Sequence, residues 1–295
     1  MKRIASIDLG SNAFMATVAD IEGNQIVQVQ KDYEKVVRLG EGVNRTRAFK
    51  PEALERAKIC LQYYLSEFKR HGVEQIVAVS TSAARDAKNS SELVRLGESL
   101  GIRIQIISGD REAELSFEGT CTDLPEGEKS SLIFADIGGG STEIVQVNEN
   151  QKARISLDVG TVRITEMFGS KVELASQHCQ SLFKPVIRQG CKHMVLASGT
   201  AVALFNVEHG IKGGFWKAHG GKLGRSRVEK FVGEMSKMTT QEIMVWAGIE
   251  ERRADVLLGG ALIIEQLLRA AQLSEFKIST RGLRYGVLLH WREFL

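Results

Sequence analysis

The sequence predicts an α/β protein built from two similar halves, and three observations support this. An apolar run that ends in an aspartate and a glycine turn occurs twice, at residues 4–11 and 132–141. Each run is followed by two further short apolar strands, separated by the polar turn residues typical of hairpins. Both halves then continue as helix, strand, helix and strand. Agreement of order across five strands indicates an internal duplication, with a period much longer than that of solenoid repeats.

In the first half, the hairpin strands are FMATVAD and QIVQVQ, joined by a turn at Glu22-Gly23-Asn24. Apolar residues then recur at three- and four-residue steps through 51–70, which predicts a helix with one buried face. Pro51 is suited to the first turn of this helix, and Gly72 lies just past its end. The fourth and fifth strands are expected at 76–83 and 103–110.

The second half repeats this plan with the strands EIVQV and ARISLDVG around a turn at 148–150. The helical spacing at 175–186 predicts a helix that Pro185 kinks or ends. A fourth strand is expected at 194–201 and a fifth at 276–282. Between them, the pattern Ser226-Arg227-Val228-Glu229 resembles a capping box that opens a helix.

Composition and charge narrow the function classes. The chain has 295 residues, of which 43% are hydrophobic and 25% charged, as in ordinary globular proteins. There is no run of 18 apolar residues and no signal-peptide pattern after Met1, so we expect a cytoplasmic protein with no membrane association. The four cysteines lack CxxC spacing, which argues against zinc. A net charge of +3 without a basic block argues against a nucleic-acid binder.

Two such α/β domains, each contributing an Asp-Gly hairpin to a shared interdomain cleft, resemble the actin-like superfamily of RNase H-like domains, which includes sugar kinases and heat-shock chaperones. We expect residues 1–124 to form the first domain and residues 125–295 the second. The last helix, at about 283–295, is expected to pack back onto the first domain.

Both Asp-Gly turns are candidate phosphate-binding loops. Glycines remove Cβ atoms, so that successive backbone N–H groups converge on phosphate oxygens. An aspartate at the end of a central strand is suited to hold Mg²⁺ through oxygen ligands. One such turn alone is more often an ordinary tight turn, but two in duplicated positions favour the functional interpretation. The predicted phosphate contacts are Gly10, Ser11, Asn12, Gly138, Gly139, Gly140, Ser141 and Thr142, and the predicted metal ligands are Asp8, Asp136 and Glu143.

Two glutamates and two arginines are further candidates. Glu143 begins the strand after the second loop, and Glu112 follows Gly109 in the loop that leaves the fifth strand. A carboxylate near a phosphoanhydride can orient and deprotonate a water, although Glu112 by position alone is more often a solvated helix-start residue. Arg85 follows the fourth strand and is suited to bind phosphate oxygens, or to pair with Asp86. Arg163 is a weaker candidate for which a surface ion pair is favoured.

Seven stretches of the chain resemble the exopolyphosphatase and guanosine pentaphosphate phosphohydrolase (Ppx/GppA) family. The resemblance implies that Glu112 is the water-activating base and that Glu143 assists it through a metal. It also implies phosphate contacts from both Asp-Gly loops and from Arg85, with Mg²⁺ as cofactor and polyphosphate or guanosine pentaphosphate (pppGpp) as substrate. The stretches are IDLGSN (7–12), STSAARDAKN (80–89), ISGDREAEL (107–115), DIGGGSTEIV (136–145), SLDVGTVRITE (156–166), ERRADVLLGGA (251–261) and STRGLRYG (279–286).

The chain departs from the family pattern at several positions. Ala13, Phe14 and Met15 follow Asn12 where the family commonly has a serine and then an arginine, so one hydroxyl and one cationic phosphate contact are missing. Asp110-Arg111 replace a commonly acidic pair, and Tyr285 replaces a common glutamate. The chain has the length of the short, two-domain form, for which a homodimer is possible.

Two alternatives remain open at this point. The first is an ATP-dependent kinase or ATPase on the same fold, since fold does not fix function. Residues 194–201 occupy the place where such relatives bind adenosine, but they read Ala197-Ser198-Gly199-Thr200 and lack a paired glycine. The second is a weakly catalytic sensor that binds ppGpp or pppGpp, against which the presence of both Glu112 and Glu143 argues.

Overall fold

The computed structural model describes residues 1–149, 151–212, 214–247, 249 and 251–295, and the side chains of all of these except 251 and 252. The chain forms two compact units, one of residues 1–119 together with 281–295 and the other of residues 120–280. The sequence placed the division five residues later, between Leu124 and Pro125. Part of the predicted turn at 148–150 lies outside the described residues, as does the side-chain detail at the start of the 251–261 stretch.

Eleven strands are present in the described ranges. They are β1 Lys2–Leu9, β2 Ala13–Glu22, β3 Gln25–Val36, β4 Gln75–Ser80, β5 Ile104–Ile106, β6 Ser131–Ile137, β7 Thr142–Asn148, β8 Gln151–Leu157, β9 His193–Ala197, β10 Lys222–Gly224 and β11 Glu275–Ser279.

The helices of the described ranges alternate with these strands. They are α1 Val43–Thr46, α2 Pro51–Arg70, α3 Ser82–Asp86, α4 Ser90–Ser99, α5 Gly109–Cys121, α6 Glu126–Lys129, α7 Thr161–Phe168, α8 Val172–Phe183, α9 Gly199–Glu208, α10 Arg225–Met235, α11 Thr240–Ala247, α12 Glu251–Ala271 and α13 Leu283–Leu289, with short 3₁₀ turns at Phe215–Ala218 and Trp291–Phe294. None of the helices in this part of the chain is long and apolar enough to cross a lipid bilayer.

The two sheets repeat one topology. The first has the order β3-β2-β1-β4-β5, in which β1–β3 are antiparallel and β4 and β5 run parallel to β1. The second has the corresponding order β8-β7-β6-β9-β11, with β10 added antiparallel at its edge. The predicted duplicated α/β fold is confirmed. Strand β10, which is only three residues long, is a strand that the sequence did not indicate.

Both faces of the first sheet are covered by helices. Alternate residues of β1 point to opposite faces, so that Ile7 packs under α2 and Ile4 packs under α13. Asp8 therefore lies on the Ile4 face, which α5 and α13 cover. Helix α5 approaches α13 closely, since a Cβ on Gly286 would lie 1.9 Å from the Leu115 carbonyl oxygen. The C-terminal segment thus packs on the first sheet as part of the first unit.

The second unit has its largest core on one face of its sheet, where α12 packs against α7, α8, α9, α10 and α11. Two local predictions can be compared with these helices. Helix α8 ends at Phe183, which confirms that Pro185 terminates it. The predicted capping box is wrong, because α10 begins at Arg225 with Gly224 as its N-cap and has no side-chain cap. Glu229 instead pairs with Arg269 of α12 at 2.8 Å.

All four cysteines are free, and Cys60, Cys179 and Cys191 are buried. Burial raises the pKa of the Cys60 thiol to about 11 and that of Cys179 to about 12, so both remain protonated at neutral pH. They pack as small apolar side chains.

Candidate active site

The first predicted phosphate loop joins β1 to β2. A Cβ on Gly10 would lie 2.8 Å from the carbonyl oxygen of Ala13, so this tight turn requires a glycine. Oδ1 of Asp8 lies 3.8 Å from the same Cβ position, so the Asp8 carboxylate is close to the turn. Asn12 is partly buried, and its Oδ1 accepts no hydrogen bond from the described residues.

Residues 37–40, which the sequence did not indicate as part of the site, form backbone hydrogen bonds to this loop. The carbonyl of Ser11 accepts a hydrogen bond from the Gly40 N–H at 2.8 Å. The carbonyl of Asn12 accepts two more, from Val37 at 3.0 Å and Arg38 at 2.7 Å. A Cβ on Gly40 would lie 3.0 Å from the Cβ of Ser11, so the glycine permits this approach. The only sequence signal for the support is the pair of glycines at 40 and 42.

The turn after β4 touches the same loop. The hydroxyls of Ser11 and Ser82 lie 3.0 Å apart, and both side chains are buried. The Ser80 hydroxyl donates to the carbonyl of Leu9 at 3.0 Å. The predicted phosphate donor Ser11 is therefore already hydrogen-bonded to its neighbour.

Arg85 and Glu112 form a close ion pair in the first unit. Nη1 of Arg85 lies 2.6 Å from Oε2 of Glu112 and donates to the Ile107 carbonyl at 3.0 Å. Glu112 lies in the first turn of α5 and is 7% exposed, so it is neither in a loop nor a solvated helix-start residue. Asp86, which the sequence offered as an alternative partner of Arg85, pairs with Arg47 at 3.0 Å.

The second loop, between β6 and β7, is closed by its own backbone. The Gly138 N–H donates to the carbonyl of Ser141 at 3.0 Å. The hydroxyl of Thr142 donates to the carbonyl of Val159 at 2.6 Å, and its side chain is fully buried. In this conformation Thr142 braces the loop, and Ser141 is buried beside it.

The N-terminus of α7 supports the three glycines of this loop. The N–H of Thr161 donates to the carbonyl of Gly138 at 2.9 Å, and that of Val162 to Gly139 at 2.9 Å. Nε of Arg163 donates to the carbonyl of Gly140 at 2.8 Å. Asp158 lies 3.8 Å from Nη2 of Arg163, so the favoured surface ion pair is the weaker of its contacts.

Gly160 lets α7 approach the loop. A Cβ at this position would lie 2.5 Å from the carbonyl carbon of Gly139 and 2.6 Å from that of Gly140. Both atoms belong to the backbone and could not rotate away.

Asp136 and Glu143 are direct neighbours across the second hairpin. The register of β6 and β7 pairs Asp136 with Glu143, so both carboxylates project from one face of the sheet. Glu143 is 1% exposed, and its Oε1 accepts a hydrogen bond from the Ser156 hydroxyl at 2.7 Å. Like charges directly opposite each other are destabilising unless a cation lies between them. Two carboxylates supplemented by water and substrate phosphate are a common ligand set for Mg²⁺, so these residues fit the ion.

No group of three or more acidic, histidine or cysteine side chains in the described part of the chain could hold a metal. The predicted ligands divide between the units, with Asp8 in the first and Asp136 and Glu143 in the second. The structure brings Arg85 against Glu112 in the first unit and Asp136 opposite Glu143 in the second. The role of Asp8, Asp136 and Glu143 as metal ligands stays a prediction.

Two of the departures from the family pattern, Met15 and Tyr285, lie beside the buried Arg284. Met15 lies opposite Asp8 in the β1–β2 register, and its sulfur lies 3.7 Å from Nη1 of Arg284. Nε of Arg284 donates to the Thr17 hydroxyl at 2.7 Å and contacts Asp32 at 3.2 Å. The Tyr285 hydroxyl donates to Asp32 at 3.0 Å, and burial raises the pKa of Tyr285 to about 12. The tyrosine therefore stays a neutral hydrogen-bond donor at neutral pH.

Arg111, another departure, faces the C-terminal segment. It pairs with Glu114 at 2.6 Å and with Glu293 at 2.5 Å. These contacts hold the start of α5 against the last turn of the chain, and Glu112 lies in the same helical turn.

The chain is similar in sequence to proteins of known family. The sequence model of the Ppx/GppA phosphatase family matches residues 17–293. The chain is 29% identical to exopolyphosphatase 2 of Mycobacterium tuberculosis over 315 aligned positions, which cover 98% of both chains. It is 30% identical to a bifunctional 3-dehydroquinate synthase/phosphatase of Fusobacterium nucleatum, over 90% of this chain. The match spans only 43% of that longer protein.

A solved structure agrees with these sequence matches. The structure of an exopolyphosphatase from Cytophaga hutchinsonii superposes with a TM-score of 0.86 at 25% identity. The superposition covers 99% of this chain and 98% of the other.

Proposed function

Since the chain belongs to the Ppx/GppA phosphatase family, we propose that it is a phosphoanhydride hydrolase that releases terminal phosphate from inorganic polyphosphate. Water is the nucleophile in this reaction. Its oxygen forms a bond to the terminal phosphorus while the bridging P–O bond breaks, and the shortened chain departs with the electron pair. The proton of the water passes to a carboxylate.

The observation that carries this proposal is the ion pair between the buried Glu112 and the partly buried Arg85. A general base must be held at hydrogen-bond distance from the water it deprotonates. Glu112 is fixed by the first turn of α5 and by the 2.6 Å contact with Nη1 of Arg85. We assign Glu112 as the base and Arg85 as the residue that orients it. The Arg85 guanidinium is also the candidate contact for phosphate oxygens in the transition state.

The glycine loops are assigned to hold the phosphates. In the second loop, the carbonyls of Gly138, Gly139 and Gly140 are engaged by α7 and Arg163. This anchoring fixes the loop before substrate binds, which reduces the ordering that binding must accomplish. In the first loop, the Asn12 side chain offers an amide next to the Gly10 turn. An amide carries an acceptor oxygen at one end and two N–H donors at the other, so either end can serve a ligand.

Asp136 and Glu143 are the residues that would hold Mg²⁺, which supplies charge neutralisation for the phosphate oxygens when bound. Their cross-strand pairing supports this assignment because it concentrates two negative charges at one point. Asp8 is proposed as a further ligand from its position at the end of β1.

The test is phosphate release from polyphosphate, pppGpp and ATP in parallel, each with Mg²⁺ and with EDTA. We expect release from polyphosphate with Mg²⁺ and none in EDTA, with activity restored by added Mg²⁺. Release from pppGpp would extend the substrate class to guanosine polyphosphates. Release from ATP alone would favour the ATPase alternative, and binding of pppGpp without release from any substrate would favour the sensor. Full activity in a metal-free preparation would contradict the metal assignment.

A further inference from the structure

Positive charge is concentrated beside the first phosphate loop. Residues 38–50 and 85–88, here called the basic platform, contain six cations and two acids, which gives a formal charge of +4. The whole chain has a formal charge of only +3. The cations are Arg38, Arg45, Arg47, Lys50, Arg85 and Lys88, and the acids are Glu41 and Asp86.

The platform is joined to the loop by backbone hydrogen bonds. At one end, the N–H groups of Arg38 and Gly40 donate to the loop carbonyls of Asn12 and Ser11. Any phosphate bound at the loop therefore has the start of the platform next to it.

The other end of the platform is fixed to the segment after α3. The Lys88 N–H donates to the carbonyl of Arg47 at 2.8 Å. The Asn89 side chain bonds the backbone of Phe49 twice, accepting from its N–H at 2.8 Å and donating to its carbonyl at 3.1 Å. Residues 38–50 are thus held at both ends, so their cations project from an ordered base.

Two arginines of the platform adopt an uncommon backbone conformation. Arg38 has φ 55° and Arg47 has φ 56°, in the left-handed region that bulky residues rarely occupy. Local backbone strain of this kind is concentrated at binding and catalytic sites.

Two exposed cations of the platform have no acidic partner in the described part of the chain. Lys50 pairs with Glu41 at 2.6 Å, and Arg47 pairs with Asp86 at 3.0 Å. The side chains of Arg45 and Lys88 are exposed and have no ion pair with any residue in the described ranges.

We propose that the basic platform binds the inner phosphates of an inorganic polyphosphate chain whose terminal phosphate lies at the first loop. This inference rests on the proposed function. Polyphosphate carries a negative charge at every unit, so a chain that leaves the loop meets successive cations along the platform. A substrate with only three phosphates ends before it reaches Arg45 and Lys88. The platform therefore sets the preference for long chains.

The experiment compares Arg45→Gln/Lys88→Gln with the wild type on long-chain polyphosphate and on tripolyphosphate, both with Mg²⁺. We expect KM for long-chain polyphosphate to rise about 10-fold at low salt, the scale for losing two exposed charge pairs. The kcat value and the KM for tripolyphosphate should not change. The dependence of KM on salt should also weaken in the variant, because fewer counterions are released on binding.

The matched control is Lys69→Gln/Arg70→Gln, which removes the same charge at the other end of α2. This helix has 20 residues and is about 30 Å long, so its last turn lies far from the platform. The control should keep the wild-type KM on both substrates. Thermal melts of all three proteins check that each is folded.

The measured KM values distinguish a wrong platform assignment from a wrong proposed function. Equal KM values of wild type and Arg45→Gln/Lys88→Gln on long chains would overturn the platform assignment while hydrolysis stands. A parallel rise in KM for tripolyphosphate would also overturn it, since the charges would then act on the site in general. A wild type that hydrolyses tripolyphosphate but not long chains would have the same consequence. A wild type that releases phosphate from neither substrate would overturn the proposed function itself.

Discussion

The first hairpins of the two units have the same strand register, but different residues lie opposite their aspartates. In the second unit, Asp136 lies opposite Glu143, whereas in the first unit Asp8 lies opposite Met15. The duplicated backbone thus carries a pair of carboxylates in one copy and a single carboxylate in the other. A repeated fold provides equivalent positions, and the residue across the hairpin decides which copy has the charge to hold a divalent cation.

The two loops are also supported differently. The first loop rests on the 37–40 segment, which continues into the basic platform. The second loop rests on the N-terminus of α7 and on Arg163. The first unit also contains the ion pair between Arg85 and the buried Glu112. We therefore assign water activation and chain binding to the first unit and metal binding mainly to the second.

The largest expected effect is that of Glu112→Gln, which tests water activation in the first unit. The substitution keeps the size of the side chain but removes its ability to accept a proton. We expect kcat to fall by about two to four orders of magnitude, the usual scale for a general base. Glu118→Gln on the same helix is the matched control and should retain activity. Near-wild-type turnover of a well-folded Glu112→Gln protein would remove Glu112 from the mechanism.

The next effect is that of Glu143→Met, which gives the second hairpin the residue found in the first. We expect the Mg²⁺ concentration for half-maximal activity to rise at least about 10-fold, as for lost metal-site interactions. Electron paramagnetic resonance of bound Mn²⁺ should show weaker binding, independently of turnover. Met15→Leu is the matched control in the first hairpin, and its Mn²⁺ affinity should equal that of the wild type. Unchanged Mn²⁺ binding by Glu143→Met would place the metal elsewhere.

A smaller effect, on the free energy of unfolding, is expected from adding one methyl group beside each loop. Gly160 has an extended backbone that any residue can adopt, so Gly160→Ala acts only through its clash with backbone atoms 2.5 Å away. We expect it to lower the free energy of unfolding by about 1–3 kcal/mol, the usual cost of overpacking. In Gly40→Ala the new methyl group would lie 3.0 Å from the Ser11 Cβ and 3.2 Å from the Ser11 carbonyl oxygen, which are longer distances, so this variant should cost less. Urea unfolding of both variants tests this order, and the reverse order would contradict it.

The smallest effect concerns an ion pair of the basic platform. A hydrogen bond from Lys50 lowers the pKa of Glu41 below its ordinary value, so ionised Glu41 stabilises the folded state. This contribution is present above the unfolded-state pKa and is lost as the pH falls through the lower folded-state pKa. Glu41→Gln should therefore cost about 0.5 kcal/mol at pH 7, and the difference should shrink toward pH 3.

The control for this last prediction is Glu55→Gln, on an exposed position of α2. Urea unfolding at pH 7 and pH 3 gives the free energy of unfolding of the wild type, of Glu41→Gln and of Glu55→Gln. A cost of Glu41→Gln that is the same at both pH values would contradict an ionic origin.

Local patterns predicted much of the fold. The helix expected at 51–70 is α2 Pro51–Arg70, because a 20-residue apolar stripe bounded by proline and glycine leaves little choice of ends. The capping box at Ser226–Glu229 was wrong because a four-residue motif has many chance matches. Strand β10 was missed because three residues show no periodicity.

The residues of the candidate site stay a prediction, and some of their contacts within the protein differ from those that the sequence led us to expect. Glu112 was expected in a loop, yet it belongs to α5 and is buried against Arg85, which lies 27 residues earlier in the chain. The Thr142 hydroxyl, expected to contact phosphate, donates to the Val159 carbonyl, a contact that the sequence did not indicate. A hydroxyl or carboxylate can serve several partners, and sequence spacing does not choose among them.

By itself, the sequence determined the duplication, the order of strands and the residues of both loops, because period and turn chemistry act over a few neighbouring residues. Tertiary structure decided that Glu143 lies opposite Asp136 whereas Met15 lies opposite Asp8, since both pairings depend on strand register. It also decided that Gly160 meets Gly139 and that Gly40 meets Ser11. Such approaches depend on how separately formed elements pack, and no local pattern encodes the distance between them.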